Sequence, residues 1–434
     1  MSDRAARAPD WGAAATIAAP FAVAIAALRG LTVTLPMFHG SDERVFHYPT
    51  ILRFSRELPF PDLARYRAAQ TPLFHILMAY VGRLTGYELW RLRLVEALIS
   101  FGLGLAVFRL LRVRLAMGRL QSVALTVLFV LSPYVYAASF RLMTDNLALL
   151  FSVLAVERLE RFREAGGGWA FAAACACAAG AILTRQSTAF LFAVAGLYAL
   201  LAGRLAWRRR AVALAAVALA FVPAGLLFLS WHGLTPPGGN TSSCGLCAAG
   251  PRTAGAGLRL ASAELTLAVI GLYGAVLFAP SFPWSDRAAL RRLAPGAAAG
   301  AAAGAVLLLV FPMAPDLHPS GLVSTAGVLW KIAAHTPTVL GSSLLFWLLV
   351  PLSGAVLRWR LEVAPRRWPV LALLCCFLLG ALAIRLAWQK YVDPYALLVL
   401  LITAAPHELD RPRRLGGAVL LAAGYVAYTL SFVV

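Results

Sequence analysis

The stretch "FHGSDERVFHYP", residues 38 to 49, sets an Asp-Glu pair, an Arg and two His just past a first apolar run. A carboxylate in such a place can take a proton from a hydroxyl, so Asp42 is a candidate general base. Glu43 would orient an acceptor or hold a sugar hydroxyl, and His47 could position a substrate. The bland alternative is a solvated loop, with Ser41-Asp42 capping the helix that follows and His47 packing beside Phe46. Three further polar clusters stand where apolar runs end: Arg141 and Asp145 in "FRLMTDN", Arg185 and Gln186 in "LTRQST", and Arg385, Lys390 and Asp393 in "RLAWQKYVDPY". Ionisable groups at a membrane boundary are costly and therefore candidates for function.

Arg holds phosphate in bidentate fashion and Lys as a point charge. Arg185 is the first candidate for a donor phosphate, with Lys390 and Arg385 behind it. Arg141, Asp145 and Gln186 are candidates for substrate binding. Against these stand snorkelling of the long cations and, for Asp145, a carboxylate favoured at a helix N-terminus. A base beside a cationic grip at one depth suits an enzyme that takes a sugar from a polyprenyl phosphate. The lipid tail stays in the bilayer, the phosphate sits at its surface and the sugar projects outward.

The elements that must position these groups follow from composition. The chain has 434 residues, 61% hydrophobic and 13% charged, with mean hydropathy +0.77. Soluble domains are about a quarter charged. The recurring apolar runs approach the ~20 residues needed to cross a bilayer, and they lack the alternation of barrel strands. The expected fold is all-α and polytopic, with spans near 12–35, 92–111, 120–139, 144–157, 169–184, 188–203, 211–231, 260–279, 296–312, 338–357, 368–384, 391–405 and 415–433. A net charge of +20 could suggest nucleic acid, but the arginines cluster at the ends of apolar runs rather than along one polar face. The first run is read as an uncleaved span rather than a signal peptide.

Seven arginine-bearing breaks fall on one side of this span order, the cytoplasmic side by the positive-inside rule. The abundance of Arg and Ala over Lys suits a GC-rich bacterial coding sequence and hence an inner-membrane protein facing the periplasm with its site. The opposite face carries the long segments 36–91, 232–259 and 313–337. "TPLFHILMAYVGRLTG", 71 to 86, is too short to span and reads as a helix lying at the interface. His75 on it reads as structural, and His318 and His335 could line an acceptor side. Cys244 and Cys247 in the Gly/Pro/Ser-rich segment 232–259 could form a small-loop disulfide or remain thiols, whereas Cys175, Cys177, Cys375 and Cys376 read as packing residues. The Ala/Gly run 295–305 suits close helix packing in lipid. No metal or other cofactor is expected: Asp42, Glu43 and His47 are possible ligands, but Arg44 stands between them and no HExxH pair occurs.

Four short motifs carry a resemblance. "DERVFHYP" is similar to the Asp-Glu-x-Phe-His-x-Pro motif of the lumenal glucosyltransferases that add the terminal alpha-1,2-linked glucose to the dolichol-linked oligosaccharide; Asp42, Glu43, Phe46, His47 and Pro49 fill it. Thr71 and Pro72 match a Thr-Pro-Pro segment, with Leu73 in place of its second Pro. "TDN", 144 to 146, resembles a Tyr-Thr-Asp segment, and "RQS", 185 to 187, an Arg-Gln-Thr-Asn segment. More broadly the plan resembles the GT-C superfamily, with its large first external loop and acidic residue after the first span. That resemblance implies inverting sugar transfer, with the loop Asp as base, a polyprenyl-phosphate sugar as donor and a glycan or lipid-linked acceptor. It covers about the first 190 residues. The rivals are a lipid or glycolipid transporter or flippase and other GT-C branches, mannosyl or aminoarabinosyl in type. A transporter would need charges near mid-bilayer along a path open to both faces.

Overall fold

A computed structural model describes residues 10–32, 42–66, 68–201, 206–237, 260–314, 327–364, 367–382, 388–409 and 411–431. In chain order its helices are α1 (Trp11–Ala27), α2 (Tyr48–Glu57), α3 (Leu73–Thr85), α4 (Leu89–Arg109), α5 (Arg119–Leu131), α6 (Pro133–Ala138), α7 (Asp145–Ala165), α8 (Gly168–Thr184), α9 (Phe190–Leu201) and α10 (Trp207–Trp231). There follow α11 (Leu260–Phe278), α12 (Arg287–Val310), α13 (Val328–Ala333), α14 (Leu344–Val363), α15 (Arg367–Ala381), α16 (Gln389–Thr403) and α17 (Gly416–Leu430). Among the described residues five helices are long and apolar enough to cross a membrane. The fold is all-α and polytopic, built from the apolar helices of a membrane protein.

Each expected span has a helical counterpart, and the differences have local causes. The first stops at Ala27, because Arg29, Gly30 and Leu31 all turn to positive φ. The third is broken at Ser132, since Pro133 disfavours helical backbone in the residue before it, and Ser132 sits at ψ 128°. The fourth runs on to Ala165, beyond its apolar part, because the carboxylates there are matched. Arg114 meets Glu157 at 3.0 Å, and Glu160 takes Arg163 at 2.9 Å and the Tyr198 hydroxyl at 2.6 Å. The tenth begins at Leu344, not 338: Leu340 and Gly341 both have positive φ and turn a two-residue hairpin pairing β1 (Thr338–Val339) with β2 (Ser342–Ser343).

The chain divides into two compact units. In the first, residues 1–114, 135–255 and 427–434, α7 packs along α8 and α4, α10 lies on α8, and α2 lies on α3. Segment 42–85 shares a core with its neighbours: Ile51, Phe54, Tyr66, Phe74 and Met78 are buried together with Leu92, Leu142, Leu147 and Trp231. Two side chains tie its irregular stretch 58–72 to neighbouring backbone: Thr71 Oγ1 donates to Ile182 O at 2.6 Å, and Trp231 Nε1 donates to Leu63 O at 2.9 Å. As expected, "TPLFHIL…" forms a short helix, α3, ended by Gly86 at φ 92°.

In the second unit, residues 115–134 and 256–426, α14 is packed against α12 and α11, and α11 against α16. The Ala/Gly run makes the first of these contacts. A Cβ on Gly300 would overlap the backbone of Gly354 and the reverse also holds, while one on Gly304 would lie 2.8 Å from Val350 O. Only glycine lets the two backbones approach so closely. Gly354→Leu should cost about 1–3 kcal/mol by overpacking and lower the thermal midpoint of the detergent-solubilised protein. Gly424→Leu, where added bulk meets nothing within 4 Å, should leave it unchanged.

Candidate functional site

Residues Glu43–His47 form a single π-helical turn leading into α2. Pro49 has no N–H to give the carbonyl four residues back, and Thr50 Oγ1 donates to Phe46 O at 2.6 Å. The Asp-Glu-x-Phe-His-x-Pro pattern has one residue between Glu and Phe where this chain has two, Arg44 and Val45.

The turn separates the two acids. Asp42 is half-buried at its start, whereas Glu43 is fully buried. Arg93 of α4, itself 1% exposed, donates to Glu43 through Nε at 3.0 Å and through Nη2 at 2.5 Å. Leu142 N donates to the same carboxylate at 2.9 Å, and Arg93 Nη1 donates to Leu31 O at 2.8 Å. One ion pair thus joins the end of α1, the π turn, α4 and the 139–144 loop. Both oxygens of Glu43 are thus engaged inside the protein, at the residue expected to orient an acceptor or hold a sugar hydroxyl.

Arg141 projects from that loop and is buried. Burial pulls its guanidinium down to about 10, and Glu43 and Asp42 oppose that pull, so it remains a cation at neutral pH. Asp145 starts α7 and Arg185 occupies the extended break after α8. Arg185 Nη1 meets Asp145 Oδ1 at 2.6 Å and Thr144 Oγ1 at 3.3 Å. Gln186 donates through Nε2 to Ala69 O at 2.8 Å, which ties this corner to the 58–72 stretch. Asp145 Oδ2 and Gln186 Oε1 have no hydrogen-bond partner among the described residues, so two acceptors remain beside Arg185. Asn146 holds the floor: its Nδ2 donates to Ser100 Oγ, Val135 O and Ser139 Oγ at 2.7–3.1 Å.

His47 does not point at solvent. Its Nδ1 lies 2.9 Å from His75 Nε2 and the rings stack at 5.2 Å. His75 is fully buried, and its Nδ1 finds no partner among the described residues. Burial and the neighbouring His47 hold His75 well below the usual histidine range. The folded state therefore resists a proton that the unfolded chain accepts near pH 6.5. Stability should be flat above neutrality and fall as pH drops below about 6.5. A pH series of thermal midpoints checks this: the midpoint difference between wild type and His75→Gln should change between pH 8 and pH 5.5.

Lys390 belongs to the second unit, where its Nζ lies over the rings of Trp388 at 4.7 Å and Tyr391 at 5.2 Å. One turn on, Asp393 is fully buried and accepts from Ser132 Oγ at 2.8 Å, from Tyr273 and from Gln389. Arg385, His318, Cys244 and Cys247 lie outside the described residues. His335 is exposed, with Nδ1 2.8 Å from Lys331 O.

Two residues of the acidic cluster escaped the sequence reading, Arg93 and Glu96. Glu96 is fully buried, both its oxygens lack hydrogen-bond partners among the described residues, and it senses the charges of Asp145 and Glu43. Charged residues three apart in the first turns of an apolar helix were the available signal. Among the described residues no three His, Cys, Asp or Glu converge as a metal-ligand set.

Residues 69–231 match the model of the dolichyl-phosphate-mannose-protein mannosyltransferase family. That range takes in α3, Arg93, Arg141, Asp145, Arg185 and Gln186. Over that range the chain is similar to a family of polyprenyl-phosphate-dependent sugar transferases. A comparison with curated proteins finds no match. The GT-C match begins after the Asp42 motif, and it supports a polyprenyl-phosphate-sugar transferase without supporting the glucosyltransferase branch in particular.

Proposed function

We propose that the protein is an inverting transferase that moves a hexose from a polyprenyl monophosphate to a glycan or lipid-linked acceptor outside the cytoplasm. The observation that carries the reading is the division of labour in the acid pair. Glu43 is fully buried against Arg93, whereas Asp42 stands half-buried at the start of the turn, where a substrate can reach it. Asp42 takes the proton of the acceptor hydroxyl while that oxygen bonds to the anomeric carbon. The bond from that carbon to the phosphate oxygen breaks on the opposite face, and polyprenyl phosphate leaves.

Negative charge developing on the leaving phosphate needs fixed donors. Arg141 supplies a buried cation that senses Asp42, and Arg185 supplies a second, positioned by Asp145. Asp145 Oδ2 and Gln186 Oε1 are acceptors suited to sugar hydroxyls. A monophosphate donor gives these cations one anionic group to hold, so the reading calls for no metal. Segment 36–91 is then the catalytic external loop, with α3 at the interface.

The dolichyl-phosphate mannose in the matched family's name puts mannose first among hexoses to try, and the four short motifs put glucose second. The test gives full-length protein in liposomes a polyprenyl-phosphate mannose or glucose, with a lipid and envelope-glycan extract as acceptor. A one-hexose mass gain with release of polyprenyl phosphate is the expected result. Neither mass gain nor release from either donor would remove the proposal.

A further inference from the structure

Two helices differ from the others in how little they bury: α10 in the first unit and α12 in the second. Only 17% of the apolar stretch of each is buried, against 39–67% for the other three long apolar helices among the described residues. Leu219, Leu226 and Leu229 are exposed on α10, and Val306, Leu309 and Val310 on α12. In a bilayer such side chains meet acyl chains, which are as apolar as leucine. Both helices also open in the same way. Trp207, 69% exposed, is followed by Arg208 and Arg209, and Trp284, 70% exposed, precedes Arg287, Arg291 and Arg292.

All five arginines are exposed, and none has a side-chain hydrogen bond or ion pair among the described residues. Arginines at other breaks are matched: Arg109 meets Glu157 at 3.6 Å, Arg358 meets Glu362 at 2.6 Å and Arg360 meets Glu408 at 2.5 Å. Asp286, the carboxylate beside Arg287, caps α12 by accepting from Ala288 N and Ala289 N at 3.0 Å. A helix dipole disfavours cations in the first turn, and Arg287 and Arg291, four apart, repel each other. An anion from outside the chain relieves both costs. Helical side chains lean toward the N-terminus, which carries these guanidinium groups away from the apolar stretch. Trp favours the headgroup level of a bilayer, and Arg grips phosphate in bidentate fashion. Apolar face and Arg-Trp start thus run along each helix as acyl chain and headgroup run along a phospholipid. Both starts lie in arginine-bearing breaks, which the positive-inside rule puts at the leaflet richer in anionic lipid.

We propose that the starts of α10 and α12 each bind the headgroup of an anionic phospholipid, whose acyl chains lie along the exposed face of the same helix. The inference is independent of sugar transfer. The test uses the full chain in detergent, titrated with dioleoylphosphatidylglycerol, dioleoylphosphatidylcholine or sodium phosphate, with bound lipid counted by native mass spectrometry and thermal midpoint as a second readout. The anionic lipid should bind at least about fivefold tighter than the zwitterionic one, a preference that one basic residue at a charged surface can supply. Arg208→Gln/Arg209→Gln and Arg291→Gln/Arg292→Gln should each remove one tightly held anionic lipid. Neither should move the midpoint in phosphatidylcholine, because these side chains hold nothing among the described residues. Arg109→Gln/Arg358→Gln removes the same charge from ion-paired arginines and should keep the full number of bound lipids. Equal binding of both lipids by the wild type would overturn the proposal, whatever the variants do. So would an unchanged count in either of the first two variants, an equal loss in the third, or sodium phosphate raising the midpoint as much as the anionic lipid.

Discussion

Asp42→Asn is expected to lower hexose transfer by about 10²–10⁴-fold, the usual worth of general-base help. The change replaces one oxygen by an amide of the same shape on a half-buried side chain at the mouth of the π turn. The fold should therefore be unaffected, with a thermal midpoint close to wild type and donor lipid still retained on purification. Asp42→Glu keeps the carboxylate but moves it by about one methylene, and effective alignment is lost over distances of about 1 Å, so it should recover little activity. The measurement is initial rate of product formation at saturating donor. Turnover near wild type in Asp42→Asn would show that another group accepts the proton.

The second large effect concerns stability. Glu43→Ala leaves Arg93 buried and charged without its carboxylate, and Arg93→Ala leaves Glu43 buried and charged without its guanidinium. Breaking a buried pair from one side costs about 3–5 kcal/mol, a large part of the margin that holds a protein folded. Both single variants should give low yields of monodisperse protein and strongly lowered thermal midpoints. The double replacement Glu43→Met/Arg93→Leu removes both charges and fills the space, so it should recover part of the loss. A residue whose work was to hold a sugar would behave in the opposite way, with normal stability and a raised KM. That contrast separates the two roles of Glu43.

The positions of Asp42 and Glu43 show what lay within reach of local patterns. Both are acidic, adjacent and just past an apolar run, so nothing in their immediate sequence distinguishes them. The distinction comes from Arg93, 50 positions away, and from Leu142 N, 99 positions away. Contacts at such separations depend on how helices pack, and hydropathy carries no record of that. The same holds for His47, whose partner His75 sits on another helix. The pairing of Arg185 with Asp145 joins two clusters that each looked complete on its own.

By itself the sequence determined the helices, their breaks and the segments able to carry chemistry. Apolar run length, Pro133, Gly86 and the Ala/Gly stretch of α12 act through neighbours only a few residues away, and burial in lipid makes backbone hydrogen bonding within each run obligatory. Tertiary structure decided which charged side chains meet. A buried charge must be matched by whatever the packing brings to it, and for Glu43 and Glu408 the packing brought Arg93 and Arg360.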